Sequence, residues 1–285
     1  MPAFRAVWTF DLPEGRSKGY ISNMASVIPT TVRSLSTADI RQYETDGYLV
    51  VEHLFDAALV DRIRREISAV VASPEAAEHM VQLEPAVASG ELSPATPELG
   101  VRKLFRMALH NALFRELALH PGMRSIALAL LGEDIKLMQS MLLMKPPHVS
   151  TEKVWHQDNA YFRLTPNHVV GFWVACDSAD VANGCMHVIP GSHREGVSQH
   201  AGDGDLYGLV EQPAFDAETV VAIPLQPGDA LVFHGELHHG TPANRTNTRR
   251  RALQYHYAAS ACRCEAEPVR KAEMWIHGVE HDDGI

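Results

Sequence analysis

Residues 227–257 read PGDALVFHGELHHGTPANRTNTRRRALQYHY, two β-strand patterns with a polar, histidine-rich connection between them. Pro227-Gly228-Asp229 is a turn, ALVFH a strand, and His238-His239-Gly240 lies just past a second turn. Neighbouring side chains on extended backbone face opposite ways, so at most one of His238 and His239 enters the interior. The same parity applies to Arg249, Arg250 and Arg251. Arg250 can point inward while its neighbours reach solvent. An inward guanidinium is costly unless it meets an anion, and a bidentate carboxylate is its natural partner. Taken alone, Arg250 also fits a solvated strand end in a basic run.

The chain around this segment continues the pattern. IKLMQSMLLMK (135–145), VVGFWVACD (169–177), GCMHVIPG (184–191) and ETVVAIPL (218–225) are further short β-prone runs separated by Gly, Pro, Asn and Asp. Asn183-Gly184 predicts a hairpin between two of them. Upstream the period changes to that of helices. One is expected from Thr37, as N-cap, to Gly47, followed by a strand over YLVVEHLF (48–55). Asp56 then caps a helix whose residues Leu59, Val60, Ile63, Ile67, Val70 and Val71 share a face. Ser73 and Pro74 read as the N-cap and first residue of another short helix. Residues 83–100 read as a long surface connection rather than a lid, and Pro121 to Gly132 as a helix. Helices followed by many short strands make an α+β, mainly β plan around an antiparallel barrel or sandwich. Residues 1–35 are expected to form an extended, partly disordered arm, and 36–285 a single domain.

WHQDNAYF (155–162) supplies the chemistry. On a strand, His156 and Asp158 point to the same side and converge on one point. Both are good ligands for a borderline divalent ion. One more histidine, from His234, His238 or His239, completes the 2-His-1-carboxylate triad of non-haem Fe(II) oxygenases. H-x-D alone is more often a structural pair. With a buried Arg250, the triad meets what a 2-oxoglutarate-using enzyme requires: one group for the keto-acid end, another for the distal carboxylate.

Bulk properties exclude several classes. A net charge of −10 over 285 residues argues against nucleic-acid or acidic-membrane partners. No apolar run is long enough to span a bilayer, and the N-terminus lacks the apolar stretch of a signal peptide. Four cysteines make no secreted framework, so a reduced, cytoplasmic setting is expected. Cys262 and Cys264 have no second pair with which to hold a metal. A monomer acting on a small molecule is the default.

These segments together resemble the phytanoyl-CoA dioxygenase-like Fe(II)/2-oxoglutarate oxygenases. The similarity runs over roughly residues 37–260 and rests on GYLVVEHLF, SMLLMKPP, HQDNAYF, NGCMHVIPGSH and FHGELHHGTPANRTNTRRRAL. The family pattern, H-Q-D with a distal H-G-[ST]-x-x-N and an Arg eleven residues after that His, matches residue by residue. By this resemblance His156, Asp158 and His239 are the catalytic iron ligands and Arg250 and Thr241 hold the distal carboxylate of 2-oxoglutarate. Met141, Trp173 and Lys103 match further co-substrate positions. Tyr161, Phe162, His187 and His193 are implied on the substrate side. The resemblance also implies a double-stranded β-helix (jelly roll, cupin-like) core with N-terminal supporting helices. Fe(II), 2-oxoglutarate and O₂ would serve to oxidise a substrate C–H bond, releasing succinate and CO₂. Asp158, where halogenating relatives carry a small residue, points to hydroxylation. The rival reading is a cupin-like Zn or Mn isomerase or hydrolase, or a non-catalytic ligand binder, using the same three ligands. Family substrates range over acyl-CoA esters, amino-acid derivatives, alkaloids and antibiotic intermediates.

Overall fold

The computed structural model describes residues 34–74, 80–264 and 272–277. Apart from residues 34 and 35, the expected N-terminal arm lies outside these, as does the helix expected beyond Pro74. All the described residues belong to one compact unit, Thr31–Ile285.

Reciprocal hydrogen bonds start helix α1 (Thr37–Asp46): the Ser36 hydroxyl accepts from Asp39 N at 3.2 Å, and Ser36 N donates to the Asp39 carboxylate at 2.8 Å. Ser36, not Thr37, is therefore the N-cap. Gly47 ends the helix in the left-handed region, as expected (φ 81°). Strand β1 (Tyr48–Val51) takes only half of YLVVEHLF. Asp56 starts helix α2 (Ala57–Ala72) by accepting from Leu59 N at 2.7 Å. Its apolar face buries Leu59, Val60, Ile63, Ile67 and Val70, with Val71 partly covered.

Strands β2 (Val81–Leu83) and β3 (Val101–Phe105) follow. The expected surface connection between them instead holds a short helix, Pro85–Ala88, and a 3₁₀ turn, Pro97–Gly100. It also buries Glu84 completely against Arg102, 3.2 Å away. Helices α3 (Ala112–Ala118) and α4 (Pro121–Leu131) come next, α4 with the Pro start and Gly132 stop that the sequence predicts. Beyond these, the elements that build the two main sheets and the site are β4 (Asp134–Lys145), β5 (Lys153–His156), helix α5 (Asp158–Phe162), β6 (Val169–Ala175), β7 (Met186–Val188), β8 (Val221–Ile223), β9 (Ala230–His234), β10 (His239–Thr241), β11 (Arg250–Ala259) and β12 (Met274–His277).

The strands form two main antiparallel sheets. The larger runs β1-β9-β6-β11-β4-β3-β2, with β12 also on β4; the smaller runs β8-β7-β10-β5. Their inner faces pack through Trp173, Leu231, Phe233 and Ala252 on one side and Met186, Val188 and Ile223 on the other. This is the double-stranded β-helix expected from the sequence. Helices α1 to α4 back the larger sheet, where Phe172, Leu253, Tyr255 and Tyr257 meet Ile63, Ile67, Phe114 and Ile126. Each such apolar side chain contributes ~1.5–3 kcal/mol by leaving water. Asn183-Gly184 is not a hairpin. It lies on the crossover from β6 in the larger sheet to β7 in the smaller, where Asp180 and Asn183 each accept from the other's backbone N–H at 2.9 Å.

Among the described residues no helix is long and apolar enough to cross a membrane. Gly171, in the middle of β6, is a close approach: a Cβ there would lie 2.5 Å from the Phe233 ring.

Candidate metal centre and adjoining cavity

His156 is the last residue of β5, and its Cα partner across the smaller sheet is His239, the first residue of β10. The two rings lie 4.2 Å apart. Each is anchored through Nδ1 to a carbonyl two residues back in its own chain, His156 to Val154 O at 2.8 Å and His239 to Leu237 O at 2.9 Å. That contact requires Nδ1–H, so both Nε2 atoms carry free lone pairs.

Asp158 does not share a strand with His156. Backbone pairing stops at His156, and Asp158 opens helix α5. Gln157 and Asn159 hold this corner. The fully buried Gln157 amide donates to Gly196 O at 2.8 Å and Glu236 O at 2.7 Å, and accepts from Ser198 N at 2.7 Å. The Asn159 amide donates to the Glu236 carboxylate at 3.1 Å. His156 and Asp158 therefore converge across a strand-to-helix corner and not, as expected, along one strand.

One ligand atom from each of His156, Asp158 and His239 lies within 4.8 Å of the others. Asp158 Oδ1 is 3.5 Å from His156 Nε2, and Oδ2 is 3.6 Å from His239 Nε2. An ion with bonds of ~2.1 Å spans about 3 Å between neighbouring ligands, so small adjustments close the set around one. Burial, reinforced by the neighbouring His239, pushes His156 down to about 3; burial also lowers His239. Burial alone would raise Asp158, but His256, His239 and the hydrogen bonds it receives outweigh this and hold it well below the usual carboxylate range. Two neutral imidazoles and an ionised carboxylate suit a divalent cation.

The triad opens on a cavity of about 240 Å³. Lys103, Met141, Tyr161, Phe162, Thr241 and Arg250 line it, all singled out from the sequence. Arg250 is buried at the start of β11 and donates to Leu143 O at 3.2 Å, while its Nε has no partner. Among the described residues no carboxylate pairs with it. Burial lowers it to about 10, which leaves it charged at neutral pH. Trp173 is not at the cavity wall; it lies against Arg250, the guanidinium 5.1 Å from its ring centre.

Other expectations need correction. Arg251 does not reach solvent: it is buried, with Nε 2.8 Å from Asp177 and Nη1 3.0 Å from Glu98. His187 and His193 are buried away from the cavity, His187 against Phe215 and His193 against His234 and Glu44 O. His234 packs on Tyr43, and His238 meets Ser198, so His239 alone of the three candidates joins the triad. Cys262 and Cys264 lie near different carbonyls, those of His168 and Phe162.

Sequence reading missed His256, whose Nε2 is 2.6 Å from Asp158 Oδ2, and Gln254, which lines the cavity. The signal was present, because the parity that selects Arg250 also selects Gln254 and His256 on the same strand face.

A family model described as phytanoyl-CoA dioxygenase (PhyH) matches residues 43–252. The peroxisomal phytanoyl-CoA dioxygenase of Rattus norvegicus is 30% identical over 239 residues, covering 80% of this chain and 70% of its own. Phytanoyl-CoA dioxygenase domain-containing protein 1 of the same organism is 26% identical over 268 residues, covering 80% and 91%. Among solved structures, the non-haem α-ketoglutarate-dependent carbocyclase SnoK from nogalamycin biosynthesis is 26% identical with a TM-score of 0.61, covering 82% of this chain and 88% of its own. EctD from S. alaskensis, solved with bound Fe, shares the fold at 24% identity and a TM-score of 0.65, covering 81% and 79%.

Proposed function

The chain belongs to the phytanoyl-CoA dioxygenase family, and from that premise we propose that it is an Fe(II)- and 2-oxoglutarate-dependent oxygenase that hydroxylates a C–H bond of a small molecule, with release of succinate and CO₂. The observation that carries this reading is Arg250: a buried guanidinium without a carboxylate, lining the same cavity as a 2-His-1-carboxylate triad. A zinc or manganese isomerase would use the triad and have no need of Arg250.

His156 and His239 bind the ion through Nε2, and Asp158 neutralises half its charge. Arg250 and the Thr241 hydroxyl receive the distal carboxylate of the keto acid. Trp173 holds the guanidinium plane, and Met141 and Lys103 complete that end of the cavity. Tyr161 and Phe162 wall the substrate side. When bound, iron with its keto acid supplies the O₂-activating chemistry; the side chains position, orient and exclude water. Asp158 occupies the place a halide ligand would need, which favours hydroxylation over halogenation. We take the working state to be a monomer in a reducing, cytoplasmic setting, where the four free cysteines stay reduced.

The test is an anaerobic absorbance titration of apo-protein with Fe(II) and then 2-oxoglutarate. The wild type should develop the weak visible charge-transfer band of a keto-acid chelate. Arg250→Ala should need roughly ten- to a hundred-fold more co-substrate, the loss expected for a buried charge-assisted hydrogen bond. An unchanged titration in that variant overturns the co-substrate assignment, and metal binding without a band in the wild type overturns the oxygenase reading.

A further inference from the structure

His256 touches the triad without belonging to it. It comes from β11 in the larger sheet, whereas the ligand histidines come from the smaller sheet and Asp158 from α5. The ring has no solvent exposure and packs edge-on against Phe162, 5.1 Å away, and Phe233, 6.0 Å away. Its Nδ1 is buried without a partner, whereas His156 and His239 each spend Nδ1 on a carbonyl. All its polar contact is through Nε2, 2.6 Å from Asp158 Oδ2 and 3.2 Å from the Gln254 amide.

Asp158 lies almost evenly between its two ligand neighbours, Oδ1 3.5 Å from one Nε2 and Oδ2 3.6 Å from the other. Left to itself, such a carboxylate can clasp an ion with both oxygens. Resting on the metal reading above, we propose that His256 is a positioning residue that breaks this symmetry. It donates Nε2–H to Oδ2, so that Oδ1 alone faces the ion and the Gln254 amide turns its oxygen, not its NH2, toward the ring. An octahedral ion held by the two histidines and one carboxylate oxygen would keep three positions open, enough for a chelating keto acid and O₂. A second carboxylate oxygen would take one of them.

Cobalt(II), used alone, is a coloured probe of this geometry. His256→Leu should weaken Co(II) binding roughly ten- to a hundred-fold, the range for removal of a partner that orients a ligand. It should also change the visible band, as the freed oxygen joins the ion. His256→Gln keeps an N–H donor and should restore most of both. In an Asp158→Ala background, adding His256→Leu should change affinity little, because the effect runs through Asp158. Equal losses with and without Asp158, or a His256→Leu protein with wild-type affinity and band, overturn the proposal. Should His256→Leu not fold, the wild-type Zn(II) form decides the question through its ¹⁵N-histidine spectrum. His256 should carry its proton on Nε2 with Nδ1 bare, opposite to the two ligand rings; a proton on Nδ1 overturns the assignment. The co-substrate titration of Arg250→Ala uses none of these variants, so the oxygenase reading and this one fail separately.

Discussion

The two facing sheets differ in scale and in content. In the larger, β4 and β11 run for 12 and 10 residues, and helices cover the outer face. In the smaller, no strand exceeds four residues, yet it supplies His156, His239 and Thr241. Most of the burial that stabilises the fold lies in one sheet and most of the metal chemistry in the other. Strand β11 is the exception. One face carries Arg250 and Gln254 to the cavity and His256 to Asp158, while the other sends Leu253, Tyr255 and Tyr257 into the helix-backed core, with Tyr255 and Tyr257 hydroxyls donating to Phe114 O and Ala118 O. A single strand therefore serves both the core and the site, one on each face.

The largest effect that would sharpen this contrast belongs to the core face. Leu253→Ala should cost ~2–5 kcal/mol in denaturant unfolding, as a fully buried side chain leaves a cavity. Metal affinity per folded molecule should be unchanged; a collapse of Co(II) binding at low temperature would break the division between the faces. Gly171→Ala comes next, at about 1–3 kcal/mol, because its Cβ meets an aromatic ring inside a packed sheet. That ring, Phe233, lies 4.9 Å from His239, so Co(II) binding should weaken as well. Lost stability with untouched metal affinity would show that Phe233 does not transmit the strain.

The most gradual effect is a slope with pH. Burial lowers His120 and His234 to about 4, from an ordinary 6.5. Between those values the unfolded chain binds protons that the native state refuses, so acid favours unfolding. The stability is complete above about 6.5 and is lost as pH falls toward 4. His120 accepts from Gly122 N at the start of α4, on the helix side, so the thermal midpoint of apo-protein should decline over this window without any metal present. His120→Gln should flatten part of the decline, and a level profile in the wild type would refute the account.

Much of the site was legible because its signals are local. Parity along one strand made Arg250 a candidate, the spacing of H-x-D offered two candidate ligands, and the family resemblance chose among the alternatives. What escaped depended on contacts across the fold. Arg251 is buried because Asp177 and Glu98, 74 and 153 residues away in sequence, neutralise it. Gln157, inside the quoted HQD, is the corner's main anchor, but its partners come from two later loops. Asn183-Gly184 looked like a hairpin because turn chemistry shows where a chain reverses and not which sheet it enters next. His256 was missed for a different reason: it satisfied the parity rule and was not read with it.

The pairing of His239 opposite His156 has a consequence for how the protein is made. A slip of one residue between β10 and β5 would turn a ligand to the wrong face and present Gly240 or His238 in its place. The smaller sheet, short-stranded and irregular at that pairing, has little hydrogen-bonded length with which to reject such errors. An ion that needs both nitrogens binds only the true alignment and stabilises it by mass action. Metal present during folding would then act as a proofreader, and protein produced in metal-starved cells should contain a fraction that later loading cannot rescue.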